Sequence, residues 1–235
     1  MTLALGADPG DHATWYRAAS LFAEADDVAG YDRHRRALLD RFGATKDPHV
    51  AGRTARACLL LPGPPDVIRR AAGLAGLAAD QGGKVWVFPS LLLASGLAEY
   101  RLERVAAAEQ RLRTSLALRN EGWHLRTSDD LVLAMTLQKQ GRRGEAIARL
   151  TLARTIFDRD VPKLDMADEI AWHDVLICMA LRREAESLVF DAGFPAIRSR
   201  VRGRGERTHR APIGGTAPSD NGPDRATSGP ISRTR

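Results

Sequence analysis

The sequence predicts an all-α fold, an α-solenoid of stacked antiparallel helix pairs with a C-terminal capping helix. Three observations carry the prediction. In the stretch from Gly96 to Asn120, Gly96 is followed twelve residues later by Ala108, then by Leu112 and Ser115, with Tyr100 between. Small residues set against large ones at helical spacing let two antiparallel helices approach closely. The pattern recurs: Ala134 to Ala146 is again twelve residues, across a Gln140-Gly141-Arg142 turn. Ala19 to Tyr31 is a third copy, with Tyr31 where a small residue is usual and Arg35 where an aromatic is usual. Finally, no segment shows sustained period-two alternation, the pattern a half-buried strand requires.

The elements follow in order. Asp11 or Thr14 can cap a first helix reaching Glu24, with Trp15, Ala18, Ala19 and Phe22 on one face. Asp26-Asp27 opens its partner, Val28 to Phe42, stopped at Gly43. Pro48 suits the first turn of a third helix reaching Leu61. Pro62, Pro64 and Pro65 then exclude helix. A fourth helix, Asp66 to Ala79, carries Gly73 and Gly76, read as small residues at a close crossing. The central pair is Val87 to Tyr100 and Arg104 to Asn120, and a long loop around Gly122 and Trp123 leads to Ser128–Gln140 and Arg143–Asp158. A last helix, Met166 to Asp191, has Trp172, Val175, Leu176, Met179, Leu188 and Val189 as its apolar face and is expected to cover the open end of the stack.

Charge divides the chain. The 235 residues carry a formal charge of +6, and all of it arises in residues 195–235, where nine arginines meet only Glu206, Asp220 and Asp224. That segment is rich in Gly, Pro, Ser and Thr and has too few apolar residues to offset its ordering entropy, so residues 1–194 are expected to form the helical domain and residues 195–235 a disordered Arg-rich tail. Cys58 and Cys178 lie far apart in helical patterns and predict buried free thiols in a reducing compartment. The first residues lack the basic region of a signal peptide, and the longest apolar stretch, Val85 to Ala98, is too short to span a bilayer. These features predict a cytoplasmic chain with no membrane partner.

Residues that could carry chemistry have plainer readings. The six histidines form no HExxH motif and no metal-ligand spacing with cysteine, and are expected at surfaces or caps. Asp129-Asp130 and Asp168-Glu169 fall at expected helix starts, where acids complement the dipole. Gly73 and Gly76, with Gly82-Gly83, match no phosphate-binding motif. Phe157 to Asp165 has the flavour of a kinase catalytic loop, but its order is wrong and its Asn is missing, so an inter-helix loop is expected. No catalytic residue, cofactor site or metal site is predicted.

The repeating pattern resembles the tetratricopeptide repeat (TPR). Across residues 15–190 the order of blocks, from WYRAASLFAEADDVAGYDRHRRALLDRF through LASGLAEYRLERVAAAEQRLRTSLAL and DLVLAMTLQKQGRRGEAIARL to LRREAESL, is similar to the TPR-like C-terminal region of large bacterial serine/threonine protein kinases, some of which bear WD40 repeats. The block Leu181 to Glu186 is its most specific part, and Pro62 to Gly83 and the tail depart from it. A kinase domain is not among these residues. The resemblance therefore implies a non-catalytic scaffold or regulatory module that binds a protein or peptide partner, a kinase domain among the candidates. By analogy with the repeat's layout, a concave face built from the first helix of each pair would include Tyr16, Ser20, Ala94, Leu97, Arg101, Leu131, Met135 and Gln138. It lacks the Lys/Asn cluster that grips a C-terminal carboxylate. The alternative is a nucleic-acid-associated protein acting through the Arg-rich tail, which has the charge for phosphates but no interleaved aromatics for stacking.

Overall fold

A computed structural model describes residues 10–81, 83, 87–118, 122–161 and 172–191. Among these the chain is helical without strands: α1 His12–Glu24, α2 Val28–Phe42, α3 Pro48–Leu59, α4 Pro65–Gln81, α5 Phe88–Arg101, α6 Val105–Ala117, α7 Trp123–Lys139, α8 Arg143–Asp160 and α9 Trp172–Glu186, which runs into one π-helical turn, Ser187–Asp191. No helix among the described residues is long and apolar enough to cross a membrane. The tail from 195 to 235 lies outside the described residues, as do Asp168, Glu169 and His209.

Local chemistry accounts for the starts of α1, α2 and α3. The Asp11 carboxylate accepts from the Ala13 amide at 2.9 Å and from Thr14 Oγ1 at 2.5 Å. Asp27 accepts from Gly30 N at 2.8 Å, and Asp47 from His49 N at 2.7 Å with Pro48 in the first turn. The inter-helix turns carry the repeat. Asp26, Glu103 and Gly141 have φ of 53°, 61° and 76°, and each stands seven residues after the small residue of its copy, Ala19, Gly96 or Ala134. In each turn the next amide bonds back past the helix end: Asp27 N to Phe22 O at 3.1 Å, Arg104 N to Glu99 O at 2.9 Å and Arg142 N to Leu137 O at 3.0 Å. Three in-phase sequence copies thus fold into the same helix stop.

The α3–α4 connection is built differently. Tyr31, fully buried, donates its hydroxyl to Ala57 O at 2.5 Å, and Arg35, 1 % exposed, donates to Leu61 O at 3.3 Å and Pro62 O at 3.2 Å. The Arg35 that looked anomalous in the repeat therefore caps carbonyls that the proline turn leaves without helix partners. Its guanidinium also fills the space a side chain at Gly63 would need.

Helices α1, α3, α5 and α7 each pack against the next, α2, α4, α6 and α8 pack on the helix preceding them, and α9 packs against both α7 and α1. The inner helices and α9 thus close a ring around a core that includes Leu59, Leu93, Leu97, Leu131, Met135 and Leu181. Gly96 lets α5 and α6 touch: a Cβ there would lie 2.7 Å from Leu112 Cγ and Cδ2. Ala108 is wholly buried in the same pair.

Several expectations need correction. Gly73 and Gly76 face no crossing, because nothing lies within 4 Å of a Cβ at either, and the close approach falls instead at Gly52, against Leu91 and Ala78. Helix α7 begins at Trp123 rather than Ser128; tertiary contact stands in for the missing side-chain cap, with Trp123 edge-on to Phe157 at 5.9 Å. Phe157 to Asp160 form the last turn of α8 and not a loop. Helix α9 lies against α1 and α7 instead of over the end of the stack, and it is rotated about its axis from the expected face. Asp174, Ile177, Cys178, Leu181 and Ala185 point inward with Val189, Trp172 is exposed, and Val175, Leu176 and Met179 are half-buried.

Candidate interaction face

The structure places Tyr16, Ser20, Ala94, Leu97, Leu131 and Met135 in the interior, while Gln138 is half-buried and the Arg101 side chain is only 5 % exposed. They belong to α1, α5 and α7, the inner helices, and α9 lies against α1 and α7 where an external helix was expected. A partner reaching this face would have to take the place that α9 holds.

Polar contacts hold α9 there. At its centre the Arg56 Nη2 of α3 donates both to the Tyr16 hydroxyl of α1 and to Asp174 Oδ1 of α9, the latter at 3.1 Å. Arg56 and Asp174 side chains are each 11 % exposed. Burial disfavours the guanidinium charge, but Tyr16 and Asp174 more than compensate and raise the Arg56 pKa. The His124 and His173 Nε2 atoms both lie 3.7 Å from Asp174 Oδ2. Burial pulls both imidazoles down from the usual range, so near neutral pH the Asp174 charge is met by Arg56. Cys178, one turn on, sits 3.5 Å from Ser128 Oγ and from the His124 carbonyl.

Two further contacts pin the rest of α9. Arg101 donates to Leu59 O at 3.0 Å and Leu60 O at 2.8 Å, and forms a bidentate pair with Glu184, at 2.7 Å to Oε2. One guanidinium thus caps the end of α3 and anchors α9. Arg183 reaches Glu24 of α1 at 2.8 Å.

Sequence reasoning missed Arg56, Asp174 and Glu184 as a set. A faint signal existed: an arginine within the Ala-rich stretch of α3, and an acid interrupting the apolar run of α9. Other titratable groups also sit deeper than expected. Asp129 and Asp130 are wholly buried within α7 and do not cap its start. Asp129 accepts from Ser115 Oγ at 2.7 Å, and Asp130 pairs with Arg149 at 3.0 Å. Burial raises the Asp130 pKa against the pull of that arginine. His34, expected near the surface, is 5 % exposed, stacks on Trp15 at 5.3 Å and hydrogen-bonds the Trp15 carbonyl oxygen at 2.9 Å. Both cysteines are free and buried, and burial pushes each thiol up to about 12. Among the described residues no three His, Cys, Asp or Glu side chains group as metal ligands.

The described residues are helical and arranged in pairs, and α9 packs against α1 and α7 of the inner layer. No protein family, curated protein or solved structure matches the chain.

Proposed function

We propose that this chain is a non-catalytic interaction or scaffold module of tetratricopeptide type, an α-solenoid that works beside a bacterial serine/threonine kinase. The single observation that carries the reading is the seating of α9. An amphipathic helix with Asp174 and Glu184 on its inner face is received by Arg56 and Arg101 of the inner helices. The inner surface therefore has the shape and charge to take a helix, the mode by which such repeats recognise partners. The three matching turns at Asp26, Glu103 and Gly141 support the repeat assignment. On this reading α9 is the resident occupant, and a partner helix with acids at matching positions competes with it. The kinase association rests on the resemblance of residues 15–190.

The test is titration of the full chain with recombinant bacterial serine/threonine kinase domains, repeated with Glu184→Arg, which weakens the hold on α9. A one-to-one complex that tightens in the variant is expected. Absence of a complex with both forms overturns the kinase association, and stoichiometric binding of Mg-ATP by residues 1–194 overturns the non-catalytic reading.

A further inference from the structure

A cavity of about 510 Å³ opens where the α3–α4 turn, the ends of α5 and α7, and the π-helical turn after α9 converge. Its size falls within the range of small-molecule sites, about 300–1,000 Å³. Three unusual features meet on its walls. The first is Tyr100, a largely buried residue that lines the cavity. A tyrosine hydroxyl at a cavity can donate a hydrogen bond to an acceptor bound there. The second is Glu103, which holds a left-handed φ of 61° at the cavity rim, as Asp26 does in the α1–α2 turn, where the α7–α8 turn uses Gly141. A carboxylate is kept at a position glycine would fill without strain. The third is the π-helical turn itself, which brings Ser187 and Leu188 to the wall, and such turns recur at functional sites.

The charges discriminate between ligands. Arg101 and Glu184 line the cavity but saturate one another, with the remaining Arg101 donors on the Leu59 and Leu60 carbonyls. Lys139 Nζ sits over the Tyr100 ring, 4.5 Å from its centroid, and pairs with Glu103 at 2.5 Å. In that pair the Glu103 side chain is 70 % exposed and that of Lys139 only 28 %, so the acid is the member that leaves readily. A departing carboxylate is replaced by another carboxylate. Ile68 and Leu188, with the Pro62 ring, supply an apolar wall for the rest of the molecule.

We infer that this cavity binds a small monocarboxylic acid with an apolar body, its carboxylate taking the place of Glu103 on Lys139 beside the Tyr100 hydroxyl. The inference does not rest on the interaction-module reading, although Arg101 and Glu184 border both the cavity and the seat of α9.

The full chain titrated with 3-phenylpropionate, 3-phenylpropionamide and phenethylamine, followed by calorimetry and ligand-observed NMR, tests it. The acid binds saturably, and the amide at least about tenfold more weakly, the worth of a charge-assisted hydrogen bond. Lys139→Gln weakens the acid about tenfold and Tyr100→Phe about fivefold. Glu103→Gln tightens it about two- to fivefold by removing the internal competitor. Because Glu103 is exposed, this last variant tests binding without endangering the fold. No saturable binding of the acid at about 10 mM, well beyond the affinity of even weak specific sites, overturns the inference. Equal binding of amide or amine, or no gain in Glu103→Gln, does the same. A capped peptide ending in a free Phe carboxylate serves as the last arm: if it binds with the Lys139 dependence while the free acid does not, the assignment to a small molecule is wrong.

Discussion

The substitution Gly→Ala made at Gly96 and at Gly73 should have opposite effects on stability. Both residues lie inside helices, α5 and α4, so replacing glycine gains the same intrinsic helix propensity, about 1 kcal/mol. The surroundings decide the sign. At Gly73 nothing lies within 4 Å of the new methyl, and the gain of about 0.5–1 kcal/mol should appear undiminished. At Gly96 the methyl would stand 2.7 Å from Leu112 Cγ and Cδ2, and Leu112 is wholly buried, without room to swing away. Overpacking of this kind costs about 1–3 kcal/mol, which outweighs the propensity gain and leaves a net loss of about 1 kcal/mol. The two variants should differ by about 2 kcal/mol, a shift of about 4–8 °C in thermal midpoint for a domain of this size. Urea denaturation with matched m-values measures the difference. A Gly96→Ala protein as stable as Gly73→Ala would refute the close α5–α6 crossing and, with it, the repeat register.

Other expectations follow from the same geometry. Ala108→Leu, which forces four-carbon bulk into a fully enclosed position, should lose about 1–3 kcal/mol by urea denaturation. Arg56→Leu strands the Asp174 carboxylate and should cost about 3–5 kcal/mol, and the double variant Arg56→Leu/Asp174→Leu should recover part of that loss; no recovery would show that the pair does not act together. Burial alone would raise the Glu109 pKa, but hydrogen bonds from Arg142, Gln140 and Arg113 hold it at about 2, below the ordinary 4.5. Its contribution is therefore complete above pH 4.5 and is lost as the pH falls from there toward about 2, so Glu109→Gln should flatten the stability profile across that acid window. Cys58 and Cys178, buried with thiols pushed up to about 12, should resist a thiol reagent in the native protein and react only on denaturation.

The candidate face was legible only as a surface. Tyr16, Leu97, Leu131 and Met135 are assigned to inner helices by analogy with the layout of the repeat that the sequence resembles. What lies against that face was not legible, since no local rule says where a chain's last helix returns. The cavity was equally hidden: Tyr100, Lys139 and Leu188 come from three segments distant in sequence, and only their convergence makes a site.

The sequence by itself determined the helices, the starts of α1, α2 and α3 and the phase of the repeats, because capping and proline exclusion act within five or six residues. Asp11, Asp27 and Pro48 start helices in the structure as their chemistry requires. The tertiary structure alone decided where α7 begins and which face α9 buries. A count of large apolar side chains favours Trp172, Val175, Leu176 and Met179. The surface α9 meets instead presents Arg56 and Arg101, so Asp174 and Glu184 turn inward, and the small residues Cys178 and Ala185 fill the space between. Burial followed the partner's charge and shape, and those are properties of residues far away in the chain.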